Sequence, residues 1–285
     1  MSATTMQRTG RALRASTRLG WIISSNWTTP GIFLVYALLK PMSAALILAV
    51  MYRVIAGDSE RTRTYLAFLV VGAAFWSFVQ GSLSGFANAI SEDRGRYRQL
   101  KYVYMSPQPF SVYLIGRGAA QLLSALVSVV LVLAIATPLL HLPLTLGDVD
   151  WALLITACIV AFATVLALGM SVSVLLLGAR DSYGYGEIIA STLYVVSGAI
   201  FPISVLPGAI ATLAAWLPLA YWLELVRRAL LHNPAAEMFP AMGTGEVLLK
   251  LTGTATLLTG LALLALRLAD RRARRLGLID RDTMW

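Results

Sequence analysis

The sequence is poor in the side chains that perform catalytic and redox chemistry. It contains one cysteine, Cys158, so no disulfide forms within the chain. Its two histidines, His141 and His232, have no histidine or cysteine neighbour at ligand spacing, which argues against a metal site. The chain also has no GxSxG, HExxH or GxxxxGK[ST] motif. These absences argue against an enzyme and exclude nucleotide hydrolysis by this polypeptide.

Charged residues are also scarce, at 13% of the sequence, while 58% of residues are hydrophobic and mean hydropathy is +0.73. Apolar runs of about twenty residues exceed what a soluble core buries and match the thickness of a bilayer. Hydrocarbon leaves no partner for backbone polar groups outside the segment, so these runs are expected to be helices. The sequence therefore predicts an all-α integral membrane protein with a transmembrane domain over 31–268. Its six transmembrane helices are expected at 31–55, 65–90, 110–140, 151–178, 184–204 and 246–268.

The basic residues are unevenly distributed between the segments that join these runs. The N-terminus, 91–109, 179–183 and the tail together contain fifteen Lys and Arg, whereas the opposite set contains four. The positive-inside rule then places both termini and 91–109 in the cytoplasm of a multi-pass protein of the inner or plasma membrane. The net charge of +9 requires no nucleic-acid partner, because the basic residues cluster where membrane lipid headgroups attract them.

Both ends of the chain are basic but differ in their apolar content. Residues 1–30 alternate Arg8, Arg11, Arg14 and Arg18 with apolar residues at spacings of three and four. This pattern predicts an amphipathic interfacial helix on the cytoplasmic side, with a disordered basic tail as the alternative. Residues 269–285 have the charge of such a helix and little apolar surface, so we expect a cytoplasmic tail there.

The segment 202–233 between the fifth and sixth runs is too apolar for a solvated loop. Pro202, Pro207 and Pro218 cannot all lie inside one helix, because each removes a backbone donor. Irregular backbone at membrane depth requires cover by protein or by a water-filled cavity. We therefore expect an outer re-entrant hairpin of two short helices, roughly Pro207–Trp216 and Ala220–Leu231.

On the second short helix, Glu224 and Arg228 are four residues apart and are expected to pair, with Arg227 beside them. Several aromatic residues lie at the same side of the predicted bundle. An interfacial aromatic belt explains them, and stacking on a sugar or aromatic ligand is the alternative. These residues are Tyr194, Trp216, Tyr221 and Trp222.

The polar segment 91–109 predicts a short cytoplasmic helix. Ser91 is a candidate N-cap, Glu92 and Asp93 suit the first turn, and Pro107 ends the helix. Three apolar residues at helical spacing give it a face able to dock on a partner, with arginines at the rim. They are Tyr97, Leu100 and Tyr104. Ordinary basic decoration of a helix lying on the membrane is the alternative.

The first apolar run contains a lysine, Lys40, directly before Pro41. A charge at that depth is a functional candidate. The alternative is that Lys40 snorkels, or that a kink at Pro41 turns it towards a polar cavity. We assign Lys40, Pro41 and Tyr194 as candidates for lining a pathway.

At these motifs the chain resembles the membrane subunit of ABC-2 type exporters, and the resemblance covers nearly its whole length. The family's segment E-x-x-G-x-x-x-x-L, followed by S/T-P and a small residue, corresponds to Glu92, Gly95, Leu100, Ser106, Pro107 and Gly116. Its signature S-G-x-x-F-P-x-x-x-L-P corresponds to Ser197, Gly198, Phe201, Pro202, Leu206 and Pro207, followed by Pro218 and Arg227. Tyr97 and Arg98 depart from the first motif, which leaves the identity of the partner ATPase open.

This resemblance implies one permease subunit of a pair, a homodimer or heterodimer, driven by two copies of a separate ATP-binding cassette subunit. ATP and Mg are then bound by the partner, and this chain needs no cofactor. Coupling to the ATPase is assigned to Glu92, Asp93, Arg94, Gly95, Arg98, Leu100, Ser106 and Pro107. The outer gate is assigned to Phe201, Pro202, Leu206, Pro207, Trp216, Pro218, Tyr221, Glu224, Arg227 and Arg228.

The expected substrate is hydrophobic or amphipathic: a drug, a lipid or a glycolipid. Export of a lipid-linked polysaccharide is the alternative, because the stretch from Tyr36 to Pro41 resembles the W-x-L-L-x-P of such permeases. Two other classes fit less well. An ion-driven transporter needs buried acids, for which Glu187 is the one obvious candidate. A lipid enzyme needs a second acidic motif beside Glu92 and Asp93.

Overall fold

The computed structural model describes residues 3–25, 29–57, 59–94, 97, 100–107, 109–177, 184–233 and 236–276. Over these residues the chain is helical, without a β-strand. The helices are α1 (Ala3–Ser25), α2 (Pro30–Ala56), α3 (Glu60–Arg94), α4 (Leu100–Met105), α5 (Phe110–Leu140), α6 (Trp151–Leu177), α7 (Tyr185–Val196), α8 (Gly208–Trp216), α9 (Pro218–Leu231) and α10 (Thr244–Leu276). A 3-10 turn, Ile203–Val205, lies between α7 and α8.

Helix α3 lies at the centre of the bundle, in contact with α2, α5, α6, α7 and α9. Most of its apolar segment 62–87 is buried, whereas most residues in the corresponding segments of α5, α6 and α10 are only partly buried or exposed. Apolar surface of this kind is compatible with lipid around a helix that crosses a membrane. Four helical segments are long and apolar enough to do so: 62–87, 110–140, 151–173 and 244–269.

Close packing around α3 depends on small residues. The Phe86 side chain lies against Gly118 of α5 and Gly169 of α6, where a Cβ on either glycine would overlap the ring. Gly186 of α7 faces Leu83 of α3, and its added Cβ would lie 2.9 Å from the Leu83 carbonyl oxygen. These glycines let the helices approach at backbone distance, as small residues do in membrane bundles.

Helix α1 packs along α5 through a second set of small residues. A Cβ added at Gly116 would lie 2.5 Å from the Ser16 Cβ, and one added at Gly20 would lie 2.9 Å from the Ala120 Cβ. The four arginines of α1 face away from this contact and are exposed. The helix predicted for residues 1–30 is therefore present over Ala3–Ser25, and one side of it rests on the bundle.

The fifth predicted span, 184–204, is shorter in the structure than expected. Helix α7 has 12 residues and ends at Val196, which gives it a length of about 18 Å against roughly 30 Å of hydrocarbon. It ends there because Gly198 has φ +81° and Pro202 has no backbone N–H to continue a helix. The other five predicted runs match helices of 27 to 35 residues, and the six-span arrangement stays a prediction.

The segment 91–109 also differs from its prediction. Helix α3 continues to Arg94, so Glu92 and Asp93 lie in its last turn and do not begin a new helix. The Glu92 carbonyl accepts a hydrogen bond from the Tyr97 amide at 2.8 Å. Helix α4 has 6 residues, Leu100–Met105, and ends before Pro107 as expected.

The predicted C-terminal tail begins later than expected. Helix α10 extends to Leu276, so the first residues assigned to the tail, 269–276, are helical. Extending a helix that is already nucleated costs little, and Ala, Arg and Leu are good helix formers. Residues 277–285 lie outside the described part of the chain.

Candidate functional site

A cavity of about 390 Å³ lies between α2, α3, α5 and α7. No charged side chain lines it among the residues that the structure describes. Its polar groups are hydroxyls, amides, a phenol and an indole. They belong to Trp76, Ser77, Gln80, Ser84, Gln121, Ser124, Ser128 and Tyr194. Pro41, Ala44, Ala73, Gly81 and Ala125 complete the wall.

The polar residues reach the cavity because they repeat at helical spacing on two neighbouring helices. Residues 77, 80 and 84 of α3 and residues 121, 124 and 128 of α5 follow the same steps of three and four. Such steps place side chains on one face of a helix. Within otherwise apolar spans this spacing is the signal that sequence analysis missed, and Gln80 and Gln121 are its strongest members.

The hydrogen-bonding capacity of this wall is partly unused. Ser77 and Ser124 donate to carbonyls of their own helices, at Ala74 and Ala120, which leaves their oxygens free to accept. The Ser84 hydroxyl and the Trp76 indole N–H are buried and have no partner among the described residues. Buried polar groups are usually satisfied, and an unsatisfied one in a cavity wall is available to a bound molecule or water.

Two of the three pathway candidates line this cavity. Pro41 is on its α2 wall, and Tyr194 of α7 stacks on Trp76, with ring centroids 5.3 Å apart and an interplanar angle of 27°. Tyr194 is thus part of the bundle interior, which favours a ligand or packing role over the predicted interfacial belt. The backbone of Lys40 lies in α2, and its side chain is outside the described residues.

At one end of α3, the hairpin formed by α8 and α9 bends by 78°. Its two helices, Gly208–Trp216 and Pro218–Leu231, match the two short helices expected between residues 207 and 231. Pro207 precedes the first and Pro218 starts the second, in the position where a missing N–H is harmless. Trp216 at the bend is 69% exposed.

The Arg227 side chain is buried beneath this hairpin, with 1% of its surface exposed. Its guanidinium donates to the carbonyls of Gly198 and Ala199 at 3.1 and 3.0 Å, and lies 3.5 Å from the centroid of the Phe68 ring. The two carbonyls follow the end of α7, where helix carbonyls lack partners and a cation is favoured. Gly72 leaves room for this contact, because a Cβ there would overlap the Ala199 oxygen.

Glu224 is fully buried, and its carboxylate is the acceptor at the centre of a second contact. Arg228 donates to it at 2.8 Å, as the four-residue spacing predicts, and the Met238 amide donates at 2.7 Å. Arg228 also reaches Glu237 at 2.9 Å and the carbonyls of Phe239 and Met242. We call Glu224, Arg227 and Arg228 the hairpin cluster; it joins α9 to the segment before α10.

The other residues assigned to the outer gate occupy different environments. Tyr221 is buried, donates to the Ala215 carbonyl at 2.6 Å and stacks on Phe239. Phe201 is 45% exposed, and Pro202 and Leu206 are half-buried. Tyr221 therefore holds the hairpin together, while Phe201 and Trp216 present apolar surface to the surroundings.

At the opposite end of α3, a buried arginine of α5 pairs with the acidic residues of the segment 91–109. The Arg117 guanidinium lies 3.3 Å from Asp93 and 3.5 Å from Glu92, and the Tyr113 hydroxyl donates to Asp93 at 2.6 Å. We call Glu92, Asp93, Tyr113 and Arg117 the Arg117 cluster. Sequence analysis missed Arg117, whose signal was a single charge inside an apolar run.

Asp93, assigned to the surface that couples to an ATPase, is buried in the structure, and its coupling role stays a prediction. Only 1% of Asp93 is exposed, because Tyr113 and Arg117 hold it inside the bundle. Glu92 is 34% exposed and is the part of this cluster that reaches the surface. Ser106 and Pro107 after α4 are also exposed. Gly95 and Arg98 lie outside the described residues, as do the side chains of Arg94 and Leu100.

Across the described residues, no group of three or more His, Cys, Asp or Glu side chains is placed to hold a metal ion. Buried ion pairs lie at the two ends of α3, and the described lining of the cavity is uncharged. This arrangement offers hydrogen bonds and apolar contact to a bound molecule.

The sequence model of the ABC-2 type transporter family matches residues 13–231. This range begins in α1, ends with α9 and contains the cavity and both charged clusters. The chain belongs to the ABC-2 type transporter family. As an ABC-2 chain it is part of a family of multi-pass membrane proteins.

Parts of this ABC-2 chain are similar to nodulation protein J from three rhizobia. It is 35% identical over 96 residues to the protein of Rhizobium leguminosarum bv. viciae, in an alignment that covers 33% of this chain and 37% of the relative. The protein of Rhizobium meliloti is 32% identical over 98 residues, with the same coverage. That of Rhizobium leguminosarum bv. trifolii is 32% identical over 101 residues, covering 34% and 38%. The match thus spans little more than a third of these relatives.

Proposed function

We propose that this chain is the permease subunit of an ATP-driven exporter and performs no catalysis itself. Membership of the ABC-2 family supports the permease role, and the sequence has no P-loop with which to bind a nucleotide. Hydrolysis then belongs to two copies of a separate ATP-binding cassette subunit, which bind ATP and Mg. Their contact surface on this chain runs from the last turn of α3 to the residues after α4, with Glu92 at its start and Ser106 and Pro107 at its end.

The observation that supports a substrate class is the uncharged polar cavity in an otherwise apolar bundle. Its hydroxyl and amide groups suit a headgroup rich in hydroxyls, and the Trp76–Tyr194 stack suits a flat apolar or sugar face. A charged headgroup finds no counter-charge among the described lining residues. The substrate we propose is amphipathic: a lipid, glycolipid or drug with an uncharged polar head. Export of a lipid-linked polysaccharide stays the alternative.

We propose that a second permease subunit packs against the α2 and α7 side of the bundle and closes the cavity. Helices α2 and α7 both line the cavity. Both helices present exposed apolar residues, among them Val50 and Val54 on α2 and Ile188 and Val195 on α7. If the α2 and α7 faces of two subunits pack around a common symmetry axis, the two cavities form a single pathway. We place both termini in the cytoplasm, so that the Arg117 cluster faces the ATPase and the hairpin lies at the outer mouth.

The test is transport by the chain purified with the ATP-binding subunit encoded beside it and reconstituted in vesicles. We expect ATP turnover that requires both subunits and export of a fluorescent glycolipid. Gln80→Leu removes a hydrogen-bonding group from the cavity and should lower export roughly tenfold, the equivalent of one lost hydrogen bond. ATP turnover should change less than twofold.

Thr156→Val is the matched control, because it removes a hydroxyl from the exposed face of α6 while keeping the side-chain shape. Export should then remain at the wild-type rate. Equal loss in both variants, or wild-type export by Gln80→Leu, contradicts the cavity as the substrate site. ATP turnover by the permease alone contradicts the proposal that a separate subunit hydrolyses ATP.

A further inference from the structure

A second concave surface lies along one side of α1 and has no lining residue in common with the central cavity. It has a volume of about 470 Å³ and combines two guanidinium groups with apolar side chains. Its lining residues are Gly10, Leu13, Arg14, Thr17, Arg18, Trp21 and Leu123. We call it the α1 groove. The proposed transport function assigns no role to it.

The shape of the groove follows from how α1 meets α5. Positions 10, 14, 17 and 21 repeat at three and four residues, so they form one strip along the helix. Gly10 has no side chain and no atom within 4 Å of an added Cβ, which leaves that end open. The close contact of Ser16 with Gly116 brings the two helices together, and Leu123 of α5 closes the other side.

The charge of the groove has one sign. Helix α1 has four arginines and no Asp or Glu. Arg14 and Arg18 are exposed and lie one turn apart, and no described carboxylate pairs with them. Two guanidinium groups at this spacing fit the oxygens of one phosphodiester, to which arginine binds through parallel N–H groups. The groove therefore favours an anion over a zwitterion or a neutral group.

Apolar surface lies directly beside this charge. Leu13, Trp21 and Leu123 are 38%, 39% and 46% exposed. A soluble anion gains nothing from such surface, whereas a phospholipid places its acyl chain beside its phosphate. Trp also prefers the headgroup level of a bilayer. Charge and apolar surface together select a lipid over free phosphate.

We infer that the α1 groove binds an anionic phospholipid. Arg14 and Arg18 hold the headgroup phosphate, while Leu13, Trp21 and Leu123 contact the first part of an acyl chain. The bound lipid fills the space between α1 and α5 and fixes α1 against the bundle. This inference concerns lipid binding alone and holds or fails independently of the transported substrate.

The test is native mass spectrometry of the full chain purified in detergent, titrated with phosphatidylglycerol or with phosphatidylcholine of the same acyl chains. We expect one phosphatidylglycerol per chain to be retained in preference to phosphatidylcholine. Arg14→Gln with Arg18→Gln should weaken this retention by roughly 25-fold, since each basic residue near a membrane surface contributes about a factor of five. Arg8→Gln with Arg11→Gln removes the same charge from α1 outside the groove and should change retention less than twofold.

Gly10→Leu tests the shape without changing charge. Its side chain enters open space and favours the helix, so the fold is kept while lipid retention falls. Circular dichroism verifies helix content in each variant. Equal retention of the two lipids, equal loss in both arginine pairs, or displacement by millimolar inorganic phosphate overturns the inference. The inference is supported if phosphatidylglycerol retention falls in the Arg14→Gln, Arg18→Gln variant and in Gly10→Leu. Retention in the Arg8→Gln, Arg11→Gln variant should then equal that of the wild type.

Discussion

The two ends of α3 both bury an arginine, but they bury it differently. At the hairpin cluster, Arg227 donates to two backbone carbonyls and lies on an aromatic ring, beside the fully buried Glu224. At the Arg117 cluster, one guanidinium nitrogen, Nη2, lies 3.3 Å from an Asp93 oxygen and 3.5 Å from a Glu92 oxygen. The two other nitrogens of Arg117 are buried and have no described partner.

This difference indicates different mechanical roles. A buried charge with many partners costs several kcal/mol to disturb, whereas a buried charge with fewer partners loses fewer interactions when it moves. The hairpin end is therefore expected to stay fixed. The end next to α4 is expected to rearrange, which is the behaviour required of a segment that responds to an ATPase.

The largest expected contrast is in accessibility from outside the cell. In a Cys158→Ala background, a cysteine at Asp148 should label with an impermeant thiol reagent in intact cells, because the exposed α5–α6 loop is on the hairpin side. A cysteine at Arg98 should label only after permeabilisation. Equal labelling of both positions in permeabilised cells is the control. The reverse pattern in intact cells would place the Arg117 cluster outside and remove its link to an ATPase.

The next largest effect is expected from Glu224→Ala. It leaves Arg228 buried without its main acceptor and should lower the free energy of unfolding in detergent by about 3–5 kcal/mol. Export should fall while binding of the ATP-binding subunit is kept. Glu246→Gln is the control, because its pair with Lys250 is exposed and should contribute less than about 1 kcal/mol. A similar loss in both variants would show that the hairpin cluster is no more rigid than the surface.

A smaller effect is expected from Asp93→Asn. Glu92 stays 3.5 Å from Arg117 and takes over part of the pairing, so the loss of unfolding free energy should be about 1–2 kcal/mol. The functional change should exceed the structural one, with less substrate exported per ATP hydrolysed. Tyr113→Phe removes only the hydroxyl that bonds Asp93 and serves as the milder control. A loss as large as that of Glu224→Ala contradicts the proposed asymmetry.

The smallest change in stability is expected at the bend of the hairpin. Trp216 is 69% exposed, so Trp216→Ala should alter the free energy of unfolding by less than about 0.5 kcal/mol. Its effect should appear in which substrates are exported. Trp222, one turn into α9 and 1% exposed, is the matched tryptophan, and Trp222→Ala should cost about 3–5 kcal/mol. Unchanged substrate preference in Trp216→Ala would remove the hairpin from the release route.

The helix boundaries of the hairpin were predictable from local sequence because prolines mark them. Pro207 and Pro218 fix where α8 and α9 begin, whatever surrounds them. The predicted end of α3 was wrong because it is set by contacts with residues distant in the sequence. Ser91 has the chemistry of an N-cap, but Asp93 is held by Tyr113 and Arg117, which lie 20 and 24 residues further along the chain. A tertiary contact of that kind overrides a local preference.

The cavity was only partly predictable. Pro41 and Tyr194 were found as isolated unusual residues, whereas Gln80 and Gln121 were hidden because each is one amide in a long apolar run. Their common spacing with serines on α3 and α5 is visible in the sequence. That these two helices turn the polar faces towards each other depends on glycine contacts such as Gly118 against Phe86, which spacing alone does not reveal.

The position of the Phe86 ring has a consequence for how the cavity changes shape. With a glycine of α5 on one side and a glycine of α6 on the other, the ring prevents either helix from sliding or rotating past α3. We therefore expect these three helices to move as one unit near this point. Helix α7 is held against α3 by a glycine contact of the same kind at Gly186, so we expect α2 to be the cavity wall that moves most when the cavity changes shape.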